Sequence, residues 1–300
     1  MIRPPSLNPG DAVGLVAPSR TIAEHQVKTA LGTFQAWGLE VVKGKHLFGQ
    51  HGYFAGTDRQ RLSDLQEMIN DDRVKAIFCA RGGYGITRIL DDLDLSALRR
   101  TPKWIIGFSD ITALHLALNR MDLESIHGFM PVQFEYMNAS SSIKSLEKLL
   151  FEDRGMIEAE SHALDRQGKA EGQVVGGNLS LLVDSLGTAS EVRTAGKLLF
   201  LEEVDEYLYK IDRMLTQLKR AQKLDRLEGL VIGDFSQMKD TQIPLGMSIE
   251  ELIMDRVKEY SYPVAFNFAI GHEIPNYSIP LMRNTSLEVG QPMSKMTFDS

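Results

Sequence analysis

A single cysteine, Cys79, stands in a chain of 300 residues, so no disulfide can brace the fold from within. No Cys/His grouping has the spacing of a zinc site either, and no metal is expected. Long apolar runs are also missing: nothing approaches the ~18 consecutive apolar residues of a membrane span. The opening Met1-Ile2-Arg3-Pro4-Pro5 has no apolar signal region, so the chain is expected to remain in the cytoplasm. Basic residues are outnumbered, 33 Lys and Arg against 40 Asp and Glu for a formal net charge of −7, and they are scattered. A nucleic-acid partner, which needs a basic patch, is not expected. What remains is ordinary globular composition, 43% hydrophobic and 24% charged, with length for two domains of roughly 150 residues each.

The first half alternates between strand and helix patterns. Val13–Ala17, Leu39–Val42, Lys75–Ala80 and Lys103–Phe108 read as buried strands. Between them, Ile22–Trp37 has helical spacing with Gly38 as its cap, and a helix after Thr57-Asp58 carries Leu62, Leu65 and Ile69 on one face. A further helix is expected to run to about Asp92, and another to open at Ser109-Asp110. This alternation predicts the α/β class, with an N-terminal parallel sheet of Rossmann or flavodoxin type covered on both faces. One helix to about Phe151 and a polar linker through Gly168 lead to a second, smaller, β-rich α/β domain beginning at Gly172. Its strands are Lys197–Val204, Leu227–Gly233 and Val264–Ala269, and its longest helix runs from about Tyr207 to Leu224. The expected division is 1–150 and 151–300.

In an open parallel sheet, ligands gather beyond the carboxyl ends of the strands. Two neighbouring strand patterns end there in unusual sequences, Arg81-Gly82-Gly83-Tyr84-Gly85 and Gly107-Phe108-Ser109-Asp110. The second has the strand–Ser–helix order of a nucleophile elbow without the trailing glycine. Ser109 is then either an exposed nucleophile, with the Asp110 amide helping to bind an oxyanion, or simply a helix cap. The glycine turn is either a source of oxyanion-binding amides or only a tight turn. It matches neither the dinucleotide fingerprint nor a P-loop. A serine nucleophile needs a histidine base oriented by an acid. Among the seven histidines, His127 ends a strand before Gly128, and His272 sits in a loop after Val264–Ala269. Glu202 and Glu203 end the apolar run Leu198–Leu201 and stand on opposite faces if the strand is extended.

Together, Arg81-Gly82-Gly83-Tyr84-Gly85, Gly107-Phe108-Ser109-Asp110-Ile111-Thr112, Gly176-Gly177-Asn178-Leu179-Ser180, Leu201-Glu202-Glu203 with Tyr209-Lys210-Ile211-Asp212-Arg213, and Gly271-His272 resemble the LD-carboxypeptidase family of serine peptidases. That family also contains the microcin C immunity hydrolases. The resemblance implies a Ser-Glu-His triad of Ser109, Glu202 and His272, with no cofactor. Glu203 occupies the place of an aspartate in many members. Gly83 and Asp110 are then the candidate oxyanion donors, with Gly82 an alternative, and Arg81 is either the reader of the substrate carboxylate or a buried structural partner. It further implies a homodimer and release of the terminal D-alanine from the murein tetrapeptide in wall recycling. An amidase cleaving aminoacyl sulfamates or peptidyl-nucleotide toxins is the alternative within the family. A non-catalytic glycine-loop ligand-binding protein is the alternative from another class.

Overall fold

The computed structural model describes residues 1–298. The first half runs β1 (Ala12–Val16), α1 (Lys28–Ala36), β2 (Glu40–Lys43), α2 (Asp58–Asn70), β3 (Val74–Cys79), α3 (Ala97–Arg100), β4 (Trp104–Gly107), α4 (Thr112–Asn119), β5 (Ser125–His127) and α5 (Ser140–Phe151). The second half continues with β6 (Gly155–Glu160), β7 (Gly168–Asn178), α6 (Leu179–Asp184), β8 (Lys197–Val204), α7 (Leu208–Arg220), β9 (Gly229–Ser236), α8 (Ile249–Val257) and β10 (Val264–Ala265). It closes with β11 (Ile279–Leu281), β12 (Asn284–Val289) and β13 (Met293–Phe298).

The first sheet has the order β2-β1-β3-β4-β5-β11. From β2 to β5 every pair is parallel, and the order is that of the flavodoxin-like doubly wound fold, whose switch point lies between β1 and β3. The strands can be covered on both faces because β1, β3 and β4 are apolar almost throughout. Gly14 in β1 admits the α2 side chain Met68, whose Sδ would lie 2.9 Å from an added Cβ. The start of α2 is set by Thr57, which accepts from the Gln60 amide while Gln60 Oε1 accepts from the Thr57 amide at 2.9 Å.

The second sheet has the order β10-β9-β8-β7-β12-β13-β6. Its β10-β9-β8-β7 half is parallel and its β7-β12-β13-β6 half antiparallel. The sheets meet where Gly176-Gly177-Asn178 ends β7. A Cβ on Gly176 would fall 1.9 Å from the Phe200 carbonyl oxygen, and one on Gly177 would fall 2.7 Å from Thr112 Oγ1. Thr112 Oγ1, at the head of α4, accepts from the Asn178 amide at 3.1 Å. Gly176 lets β7 lie close against β8 within its own sheet, and Gly177 lets the end of β7 reach the head of α4 from the first half.

Four sequence expectations are altered. The Ile22–Trp37 helix is a 3₁₀ turn over Glu24–Val27 followed by α1, though Gly38 ends it at φ 76° as expected. The helix to Asp92 is two 3₁₀ turns, because Gly85 sits at φ 144° and the Ile86 amide is held by Asp110. The polar linker contains β6, whose Ile157 and Ala159 point inward while Met156, Glu158 and Glu160 point out. The strand Val264–Ala269 stops at Ala265, since Asn267 turns the chain at φ 65°.

From the C-terminal half, β11 returns to the first sheet and pairs antiparallel with β5. Just beyond it, buried Arg283 donates to Glu124 Oε2 from Nη2 at 2.7 Å and Nε at 3.0 Å, and it contacts Asp153 at 2.5 Å. Arg3 holds the other oxygen of Glu124 at 3.0 Å. Removing one partner of such a pair leaves a buried charge uncompensated, at a cost of about 3–5 kcal/mol, whereas exposed pairs contribute about 0–1 kcal/mol. Glu124→Ala is therefore expected to lower the urea midpoint severely, and Lys169→Ala, which breaks the exposed pair with Glu288, to leave it nearly unchanged. Equal midpoints for the two variants would contradict this assignment.

Candidate active site

Ser109 stands two residues beyond β4, where the chain turns sharply into a 3₁₀ turn and then α4. The cap position belongs to Phe108, extended at φ −152° and making no side-chain cap hydrogen bond. Ser109 itself is in the left-handed region at φ 61°. For a non-glycine residue that conformation costs of order 1–3 kcal/mol and needs surrounding structure to hold it. The tightness comes from Gly107, where a Cβ would meet Ile111 at 2.9 Å. The holding group is Asp110: its buried carboxylate accepts from Ser19 Oγ at 2.5 Å and from the Ile86 amide at 3.0 Å. Burial raises the Asp110 pKa, and these bonds oppose the rise.

Glu202 and His272 arrive from the second sheet. Glu202 is fully buried near the end of β8, at a bulge where the pairing with β9 shifts between Leu201 and Glu203. Its Oε2 lies 2.7 Å from His272 Nδ1. Glu203 faces away, as strand alternation predicts, and accepts from Asn178 Nδ2 at 2.8 Å, the Ser180 amide at 2.8 Å and Ser180 Oγ at 2.6 Å. It therefore pins the start of α6 rather than the imidazole. Burial alone would lower the His272 pKa, but the bond and charge of Glu202, backed by Glu203 and Asp234, hold it above the ordinary value. Burial pushes the Glu202 carboxyl up, and His272 restrains it.

The loop bearing His272 is fixed by Asp234 in β9. The Asp234 amide donates to Ile270 O at 2.9 Å, and its carboxylate accepts from the Glu273 amide at 3.1 Å. A Cβ on Gly271 would fall 2.9 Å from Asp234 Cβ. Burial raises Asp234 to about 6, with the charges of Glu202 and Glu273 adding to the rise.

Of the expected site residues, the structure brings Glu202 and His272 into direct contact. Phe108, the neighbour of Ser109, packs its ring edge-on against His272 at 4.9 Å between centroids. No hydrogen bond joins Ser109 Oγ to the imidazole among the described residues. Gly82 lies against Ser109, with its Cβ direction 3.2 Å from Ser109 Cβ and 3.4 Å from Oγ. Gly83, at φ 117°, abuts Tyr53 and Arg20. Arg81 donates to Thr21 O at 3.2 Å.

His127 is buried behind the edge between Phe108 and Phe200, at 5.5 and 5.0 Å, and neither ring nitrogen has a partner. Sequence reasoning did not single out Ser19, Asp234 or the anchoring role of Asn178. Gly233-Asp234 closing an apolar strand was the available signal for Asp234. Ser19 and Asn178 act through contacts distant in sequence. Among the described residues no cluster of three or more His, Cys, Asp or Glu is placed to hold a metal ion.

Family models for the LD-carboxypeptidase N-terminal domain and C-terminal domain match residues 13–128 and 171–287. A Bacillus subtilis (strain 168) protein named probable murein peptide carboxypeptidase is 39% identical over 294 residues, 96% of this chain and 92% of that protein. The crystal structure of muramoyltetrapeptide carboxypeptidase from Oxalobacter formigenes superposes with a TM-score of 0.88 at 25% identity, covering 96% of this chain and 99% of that one. The microcin C7 self-immunity protein MccF, solved with aspartyl sulfamoyl adenosine, shares the fold at a TM-score of 0.87 and 21% identity, covering 98% and 97% of the two chains.

The contrast among the buried histidines is measurable. Burial lowers His115 to about 4 and His127 well below its ordinary value, whereas His272 is raised. In an imidazole ¹⁵N titration, His115 and His127 should remain neutral from pH 8 to 5 while His272 protonates with a midpoint above about 6.5. Glu202→Gln should lower the His272 midpoint. An unchanged midpoint in that variant would show that the carboxylate does not set the charge of the ring.

Proposed function

The chain belongs to the LD-carboxypeptidase family of serine peptidases, and from that premise we propose that it releases the terminal D-alanine of the murein tetrapeptide through an acyl-enzyme formed on Ser109. The observation that carries this reading is the 2.7 Å contact of Glu202 with His272 beside the strained Ser109 turn. His272 takes the Ser109 proton as the oxygen attacks the scissile carbonyl and returns it to the leaving amine. Glu202, on Nδ1, fixes the tautomer that leaves Nε2 free to act and stabilises the imidazolium. The Ser109–His272 hydrogen bond forms when substrate seats, since catalytic hydrogen bonds of apo sites are often long or unmade.

Amides of the Gly82–Gly83 turn and of Asp110 bind the developing oxyanion. The packing of Gly82 on Ser109 supports the first donor, and the position of Asp110 in the opening helical turn, where amides lack intrahelical acceptors, supports the second. Water then hydrolyses the ester. We assign the nucleophile to a domain of residues 1–150 and the acid and base to one of 151–300. On the family resemblance, we place the reaction in the cytoplasm and in a homodimer.

Ser109→Ala, His272→Ala and Glu202→Ala should each remove nearly all turnover, and their effects should not add, because the three residues act as a unit. Glu203→Gln should instead act mainly on stability, through loss of the Asn178 and Ser180 bonds. Retention of wild-type kcat in Glu202→Ala, with loss in Glu203→Gln at unchanged stability, would reverse the assignment of the acid.

The substrate is tested by mass spectrometry on three compounds: the tetrapeptide, the pentapeptide ending in D-Ala-D-Ala, and an aminoacyl sulfamate. Rapid D-alanine release from the tetrapeptide alone is expected. In the pentapeptide, the inverted centre before the bond and the extra residue misplace the carbonyl, and about 1 Å of misplacement can cost ~100-fold in rate. Comparable turnover of both peptides would defeat this reading, and exclusive cleavage of the sulfamate would replace it with an amidase.

A further inference from the structure

The switch point of the first sheet brings together two guanidinium groups, that of Arg81, already a candidate for the substrate carboxylate, and that of Arg20, which has been given no role. Arg20 closes the loop after β1, and Arg81 opens the loop after β3. The crevice between two such loops is where doubly wound sheets bind ligands. The two arginines are tied to Ser109 through the glycine turn. Gly82 packs on Ser109, and a Cβ on the next residue, Gly83, would fall 2.9 Å from Arg20 Cβ and 2.7 Å from Tyr53 Oη. The bare backbone at Gly83 is what lets Arg20 and Tyr53 approach the glycine turn this closely.

Neither arginine has a carboxylate partner among the described residues. Arg20 lays its guanidinium over the Tyr53 ring at 5.2 Å, and the one side-chain hydrogen bond of Arg81 goes to Thr21 O at 3.2 Å. Both border the same surface groove, and Glu24 on its wall pairs with neither. Burial, with the like charge of Arg20 second, lowers the Arg81 pKa. Two cations held together without an anion repel each other, and a carboxylate between them reverses the sign of that interaction. Arginine suits this task because its planar fork meets a carboxylate with two parallel hydrogen bonds.

We propose that Arg20 and Arg81 form a clamp for the free C-terminal carboxylate of the peptide cut at Ser109, with Tyr53 as a neighbouring hydroxyl donor, so that Arg20 makes the enzyme select a terminal acid. The clamp rests on the peptidase reading above. The leaving residue sets its carboxylate one residue beyond the scissile carbon, a reach of about 3.3–3.6 Å along the chain. Arg81 immediately precedes Gly82 in the chain and Arg20 abuts Gly83, so both stand at the turn that packs on Ser109.

The test compares the tetrapeptide as a free acid with its C-terminal carboxamide. Turnover is measured in the wild type, Arg20→Gln and Arg81→Gln, and binding by calorimetry in the Ser109→Ala background with and without Arg20→Gln. The wild type should favour the acid, and Arg20→Gln should reduce the acid-to-amide ratio of kcat/KM about tenfold or more, chiefly through KM. The same collapse of preference should appear in binding. Arg20→Lys should restore part of it, since a single ammonium replaces a fork. An acid-to-amide ratio unmoved in both arginine variants overturns the clamp even if D-alanine release is normal. A wild type that releases no D-alanine, yet binds the acid in preference to the amide through Arg20, overturns the peptidase reading and leaves the clamp standing.

Discussion

The Asp110 carboxylate is the constraint on which the arrangement depends. By accepting from Ser19 and Ile86 it joins three loops, those after β1, β3 and β4, into one surface. A buried carboxylate must have such partners, because an unpaired charge or polar group away from water is costly. Arg61 reinforces the same edge from α2, donating to Pro18 O and to Gly85 O at 2.8 Å while pairing with Asp58. The residue next to Ser109 thus fixes the architecture of the edge through its side chain. A strained serine survives there because its neighbours over-determine the turn.

The second sheet is fastened to this edge by contacts that leave little freedom for Glu202 and His272. Asn178 joins Thr112 through its amide and Glu203 through its side chain, so the end of β7, the start of α4 and the end of β8 are linked in one chain of bonds. Of the adjacent glutamates on β8, one anchors the scaffold and the other orients His272. Asp234 supports the histidine loop from the neighbouring strand. The aromatic ring of Phe108 and the uncharged His127 complete an apolar backing for the imidazole. In that low-dielectric setting the Glu202–His272 interaction is stronger than it would be in water.

Much of this was legible from periodicity. The run Lys197–Val204 matches β8 residue for residue, and alternation along it separated Glu202 from Glu203. The alternating order of the first half predicted the parallel sheet. What the linear sequence hid was set by long-range contacts. Residues after Gly85 are helical in composition, but a bond from Ile86 to Asp110 cuts the helix short. The strand β6 escaped notice because its inward face is only Ile157 and Ala159 amid polar neighbours, and its pairing partner lies at the far end of the chain. From its local sequence alone Ser109 read more readily as a helix cap, but the cap position belongs to Phe108 and Ser109 itself lies in the left-handed region. The contact between Arg20 and the glycine turn joins residues on loops far apart in sequence, so no local pattern announces it.

The return of β11 to the first sheet has a consequence for the order in which the molecule is made. Until residues 279–281 leave the ribosome, β5 is an unpaired edge of the N-terminal sheet, and open edges are templates for pairing with other chains. The Glu124 carboxylate is meanwhile without its main partner, Arg283. His272 emerges shortly before both. A nascent chain therefore displays Ser109 long before it displays His272, and the contact of His272 with Glu202 forms only as the last edge of the first sheet is closed.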